Sequence, residues 1–125
     1  VKAVPPVSEA RHVLICLGYG IGDVVMELPL LEALRGCASG RITALGAYPA
    51  PEILHGSGLV DDIVFYQDWS IRHLWDPASE ETCEALGAWI ASAGFDLVLD
   101  LAKAPPPVRH AVERSGCPAR NADHD

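Results

Sequence analysis

The chain has 125 residues, half of them hydrophobic, and a formal net charge of −8 at pH 7. That length suits one domain with one modest core, and that apolar content excludes a disordered chain. The acidic balance argues against a general nucleic-acid binder, which needs a basic face, and disfavours unaided binding to an anionic membrane.

In chain order, residues 1–10 hold two adjacent prolines and no periodicity, which predicts a flexible arm. "HVLICLG" is a short continuous apolar run, the mark of a strand buried on both faces. A glycine loop, Gly18 to Gly22, follows, then a helix from about Asp23 to Arg35. "RITALGA" predicts a second strand, and "APEILHG" a short helix with Pro51 in its first turn and Gly56 at its end. "DDIVFY" is a third strand, and "QDWSIRHLWDP" an aromatic-rich connection. "ASEETCEALGAWIASAG" predicts a helix capped by Ser79 and stopped at Gly94. "FDLVLDLA" is a fourth strand.

This alternation predicts an α/β fold, a Rossmann-like parallel sheet with flanking helices. The expected divisions are the arm at 1–10, the sheet domain at 11–104, and a short helix with a frayed polar tail at 105–125. Four strands without a clear fifth make the doubly wound sheet look incomplete. The first residue is Val1 rather than Met, as in a processed chain or a fragment.

No apolar run nears the roughly 20 residues of a membrane span, and no leader pattern is visible, so a cytoplasmic location is the expectation. The cysteines, Cys16, Cys37, Cys83 and Cys117, form no C-x-x-C pair, which argues against a zinc or thioredoxin-type site. Cys16 lies in an apolar run and reads as a buried thiol. No cofactor or metal site is expected.

The glycines at 18, 20 and 22 invite a dinucleotide reading, but G-x-G-x-G is one residue short of the G-x-G-x-x-G fingerprint. "RITALGAYPA" also lacks the acid that would hold a ribose hydroxyl, and the loop has no lysine for a Walker motif. Asp23 tells further against a phosphate. A helix N-terminus favours anions, and a fixed carboxylate there already occupies that field. An ionised carboxylate at the carboxyl end of a parallel sheet suits a general base that takes a proton from a sugar hydroxyl. Asp23 as a plain helix cap remains the other reading.

Along the helix, Val24, Val25 and Leu28 form one apolar cluster, and Leu30, Leu31 and Leu34 another that points elsewhere on an ideal helix. Pro29 between them predicts a kink or a restart. Glu27 lies one turn beyond Asp23, either solvated or paired with it across one cleft.

"GYGIGDVVMELPLLEALR" resembles the N-terminal signature of the ADP-heptose–lipopolysaccharide heptosyltransferases, glycosyltransferase family nine. That signature pairs Gly-Asp with a later Pro-Leu-Leu and an Ala-Leu-Arg at the helix end. "RITALG", "LVDDIVFY" and "FDLVLDLA" follow in the same order, so the resemblance spans roughly residues 11–103. It implies the N-terminal, acceptor-binding half of a GT-B fold, with Asp23 as the catalytic base. The acceptor would be a glycan or lipid-linked glycan, with Gly18, Gly20, Gly22, Glu27 and Lys103 as candidate contacts and Asp100 either a further contact or a plain strand-end cap. The nucleotide-sugar donor would bind only through a C-terminal domain outside this chain. A cytoplasmic protein, or one peripheral at the inner membrane, is implied.

The chain departs from the family at Glu27, where a small or hydroxylated residue is usual. It departs again after Asp100, where "DLAKAPPPVRH" lacks the glutamine of an Asp-x-Gln run and offers Lys103 or Arg109 instead. Trp69, Arg72, His73 and Trp75 share one loop and could bind a sugar ring or pack on their own domain. Trp89 reads as core, and His12, His55, His110 and His124 show no metal spacing. Two rival readings are a non-catalytic chain that only binds a partner or glycan, and a nucleotide-binding Rossmann or flavodoxin-like module.

Overall fold

Strands and helices alternate as the apolar runs predict. The structure, a computed structural model, describes residues 4–73, 75–77, 79–101 and 104–121. Strand β1 (His12–Cys16) leads through the glycine loop to helix α1 (Ile21–Cys37) and strand β2 (Arg41–Gly46). A 3-10 turn at Ala50–Leu54 precedes β3 (Asp62–Phe65), and another at Tyr66–Trp69 follows it. Helix α2 (Glu80–Ser92), strand β4 (Leu97–Asp100), helix α3 (Pro106–Ser115) and strand β5 (Ala119–Asn121) complete the order.

All strand pairs are parallel, in the order β3-β2-β1-β4-β5. The chain winds outward from β1 in both directions, so the topological switch point lies between β1 and β4. Both faces of these central strands are buried, as their unbroken apolar runs require. On one face Val13, Ile15 and Leu17 pack with Ile42, Ala44, Leu97 and Leu99 under α1. On the other, Leu14, Cys16, Leu45 and Val98 meet Leu86 and Ile90 of α2 and Val108, Ala111 and Val112 of α3.

Helix α1 draws one inward stripe from both apolar clusters. Val24, Leu31 and Leu34 are buried, with Leu28 packed beside them, while Ile21, Val25, Met26 and Leu30 are exposed. Leu31, at 1% exposure, contributes about 1.5–3 kcal/mol by its burial. Of the kink or restart expected at Pro29, the restart does not occur: one helix runs from Ile21 to Cys37 with Pro29 inside it. The ring removes the donor that would serve the Val25 carbonyl. Val25 is half exposed, so water can reach that carbonyl.

Three further expectations are corrected. The tail expected to fray forms β5 at 119–121, because the open edge of β4 supplies the partner (Val98 opposite Ala119). The helix at "APEILHG" is the 3-10 turn Ala50–Leu54. The arm is packed from residue 7, with Val7 against the core and Ala10 buried. Helix α2 follows its capping signals: the Thr82 N–H donates to Ser79 Oγ at 3.2 Å, and Gly94 adopts φ +85° beyond its end.

Candidate active site

The carboxyl end of β1 is held on both sides. The Leu17 N–H donates to the Leu45 carbonyl at 2.9 Å, and the Leu101 N–H to the Cys16 carbonyl at 3.1 Å. From beneath, the buried Tyr66 hydroxyl donates to the Leu17 carbonyl at 2.6 Å. The glycine loop therefore starts from a fixed point at the switch of the sheet.

Beyond Gly18 the loop closes on the helix it introduces. Gly20, extended at φ −95° and ψ 166°, is the N-cap of α1, and Asp23 is the third residue of the helix. The helix starts two residues earlier than expected, and Asp23 does not cap it from outside. Instead its Oδ2 accepts the Gly20 N–H at 3.2 Å, the reciprocal arm of a capping box. A carboxylate in the first turn also favours the helix dipole. Asp23 is half-buried, and its Oδ1 accepts no hydrogen bond from the described residues.

Glu27 is not the solvated residue that is one of its two sequence readings. The Gly18 N–H donates to both of its oxygens, at 3.2 and 3.1 Å. Burial pushes the Glu27 carboxyl up, the Gly18 N–H pulls against it, and the charges of Asp23 and Asp100 add to the rise, which ends at about 7. Gly18 itself has no room for a side chain. A Cβ there would lie 2.4 Å from Asp23 Cβ and 3.1 Å from Glu27 Oε2. At Gly20 and Gly22 the same construction meets nothing closer than 3.7 Å. The absent side chain at Gly18 is thus explained by Asp23 rather than by a ligand.

Asp100 ends β4 beside this loop and is 6% exposed. Arg109 of α3 brings its Nε to 3.3 Å from Asp100 Oδ2. Asp23, Glu27 and Asp100 therefore gather at the switch point, with Gly18 and Gly20 between them. Lys103 lies outside the described residues, as does His124. Cys16 and Tyr66, both buried under this cluster, have their acid groups pushed up first by burial and so stay protonated.

The aromatic loop divides. Trp69 packs on Trp89 with ring centroids 4.8 Å apart, and Trp89 on Phe95 at 5.2 Å. Trp75 stays exposed, as do Arg72 and His73, whose N–H groups donate to Asp76 Oδ2 at 2.7 and 3.1 Å. His12 shares a 2.8 Å hydrogen bond with Thr43, and His55 lies 2.5 Å from Glu52. Among the described residues no group of three or more His, Cys, Asp and Glu could hold a metal ion, and the four cysteines are free thiols.

Sequence reasoning passes over Tyr66 and Tyr19. Tyr66 anchors Leu17 from below; Tyr19 stacks on it with centroids 6.2 Å apart and donates its hydroxyl to the Arg72 carbonyl. An aromatic closing the apolar run "DIVFY" is the one signal that could have pointed to Tyr66.

Among solved structures, the chain matches the crystal structure of the glycosyl transferase family 9 from Veillonella parvula DSM 2008 with a TM-score of 0.69. This chain has the fold of one part of that protein. The two are 19% identical, and the match covers 96% of this chain and 34% of that one, so the chain spans about a third of that protein's length. No protein-family model and no curated protein matches it. The shared architecture is the parallel sheet with its flanking helices. No helix among the described residues is long and apolar enough to cross a membrane.

Proposed function

We propose that this chain is the acceptor-side part of a GT-B glycosyltransferase of the heptosyltransferase kind. Asp23 carries the reading. Its carboxylate stands at the carboxyl end of the switch point, with Oδ2 on the Gly20 N–H and Oδ1 without a partner among the described residues. A hydroxyl of a glycan or lipid-linked glycan would give its proton to Oδ1. The hydroxyl oxygen then bonds to the anomeric carbon of the donor sugar. The bond from that carbon to the nucleoside diphosphate breaks, and the diphosphate leaves with the electron pair. Gly20, Gly22, Asp100 and Lys103 would border the acceptor.

The donor belongs, on this reading, to a part of the enzyme outside these residues. The nucleotide-binding alternative is disfavoured, because the Gly18 and Gly20 N–H groups that would cradle a phosphate are already taken by Glu27 and Asp23.

The test is Asp23→Asn in a polypeptide that carries this chain together with a donor-binding part. Asparagine keeps the size of the side chain and can still accept the Gly20 N–H. Turnover should fall at least about 10²-fold, the usual loss for a general base, with little change in folding. Near-normal turnover would reduce Asp23 to a helix-capping group.

A further inference from the structure

Glu27 touches the same backbone that Asp23 touches. Both of its oxygens hold the Gly18 N–H, and Asp23 holds the Gly20 N–H two residues on. The position of a Gly18 Cβ is hemmed by Asp23 Cβ, Asp23 Cγ and Glu27 Oε2 together. Gly18, Asp23 and Glu27 therefore pack directly against one another, so a shift of one changes the contacts of the others.

We propose that Glu27 is a positioning residue for Asp23: by holding the Gly18 N–H it fixes the loop against the first turn of α1, and it loosens that hold when it takes up a proton. The role rests on the reading of Asp23 as the base. Glu27 itself does not face the acceptor, since both oxygens are turned to the loop.

The groups around Glu27 make this hold sensitive near neutral pH. Asp23 faces it from the same helix and Asp100 from β4, both as negative charges, with Arg109 of α3 set against Asp100. Tyr66 and Cys16 lie beneath and remain protonated. Partial burial above all, and then two like charges, favour the neutral acid, while the Gly18 N–H favours the carboxylate, and the balance falls at about 7. Neutral Glu27 offers Gly18 a carbonyl and a hydroxyl in place of two anionic oxygens, a weaker acceptor.

The experiment is a nuclear magnetic resonance titration of the 125-residue chain from pH 4 to 9. It follows Glu27 Cδ, Asp23 Cγ and the Gly18 amide nitrogen. The expected result is one shared inflection near pH 7 in all three signals, well above the ordinary 4.5 of a glutamate. Asp23→Asn should move the Glu27 midpoint down by removing a like charge, and Glu27→Gln should erase the inflection from Asp23 and Gly18. A Glu27 midpoint near 4.5 would overturn the proposal. So would an Asp23 signal that shows no inflection while Glu27 titrates, because the hold would then not reach Asp23. These signals report protons and backbone, not sugar transfer. A chain that passes this titration but proves inactive after assembly with a donor-binding part would sink the transferase reading and leave the coupling standing.

Discussion

The two edges of the sheet use the same residue types to opposite ends. At the amino edge Asp61, Asp62 and Asp96 each meet a donor. Asp61 Oδ2 accepts the Ile42 N–H at 2.8 Å and Arg35 Nη1 at 3.1 Å, and Asp96 accepts the Arg11 N–H at 2.5 Å. Asp62 pairs with Arg41 at 2.5 Å. The Ile42 N–H first, and then Arg35, hold the Asp61 carboxyl below the ordinary range. At the carboxyl edge the acids meet one another. Asp23, Glu27 and Asp100 share two glycine N–H groups and Arg109, and burial with like charge pushes Glu27 up to about 7. Acids that meet donors stabilise a fold, whereas acids crowded together cost stability, and such crowding gathers where a molecule does chemistry.

That contrast can be broken most sharply at two glycines. A Cβ on Gly40, at the amino edge, would lie 2.1 Å from the Arg11 carbonyl oxygen, which is backbone on both sides of the clash. Gly40→Ala should cost about 3 kcal/mol, the upper end of overpacking costs. Gly18→Ala meets Asp23 Cβ at 2.4 Å, a side-chain atom rather than backbone, so about 1–2 kcal/mol is expected. Urea denaturation of the two variants measures the difference, and equal costs would mean the carboxyl-edge loop is as rigid as the sheet itself.

The pH dependence of stability separates the edges next. Glu27 holds its proton more tightly in the folded chain, so its contribution is intact below about pH 4.5 and is lost as pH rises through about 7. Discounted for the half-exposed site, the decline should be about 1–2 kcal/mol, and Glu27→Gln should flatten it. Asp61 acts in reverse. Its carboxyl is depressed, so its contribution is present above the ordinary 3.8 and is lost as pH falls below it. Thermal melts across pH 3–8 should show both limbs, and Asp61→Asn should soften only the acidic one.

The smallest effect belongs to the exposed pair. Arg41→Ala should leave the urea midpoint nearly unchanged, because both members of the Arg41–Asp62 pair are exposed to solvent. Denaturation at low and high salt checks this, and a larger, salt-insensitive cost would show that the amino edge depends on specific geometry rather than on charge.

Strands β1, β2 and β4 were legible because burial on both faces leaves an unbroken apolar run. Helix α2 was legible from Ser79 and Gly94, whose preferences are local. Strand β5 was not, since its "ARN" owes its conformation to the edge of β4 rather than to any pattern of its own. The restart expected at Pro29 fails for a related reason. A proline lowers local helix preference, yet the buried stripe of Val24, Leu31 and Leu34 runs past it on both sides. In the candidate site, the loop glycines and Asp23 stood out in the sequence. The inward turn of Glu27 and the anchoring by Tyr66 did not, because each depends on contacts that only the folded chain brings together.

The glycine loop has its polarity reversed. In a phosphate-binding loop the amide protons point outward and present a surface of donors. Here the amides of Gly18 and Gly20 point back at Glu27 and Asp23. What solvent meets beside them is the lone pairs of Asp23 Oδ1. A visitor to such a surface must bring its own protons, and a molecule dense in hydroxyl groups carries many where a phosphate dianion carries none.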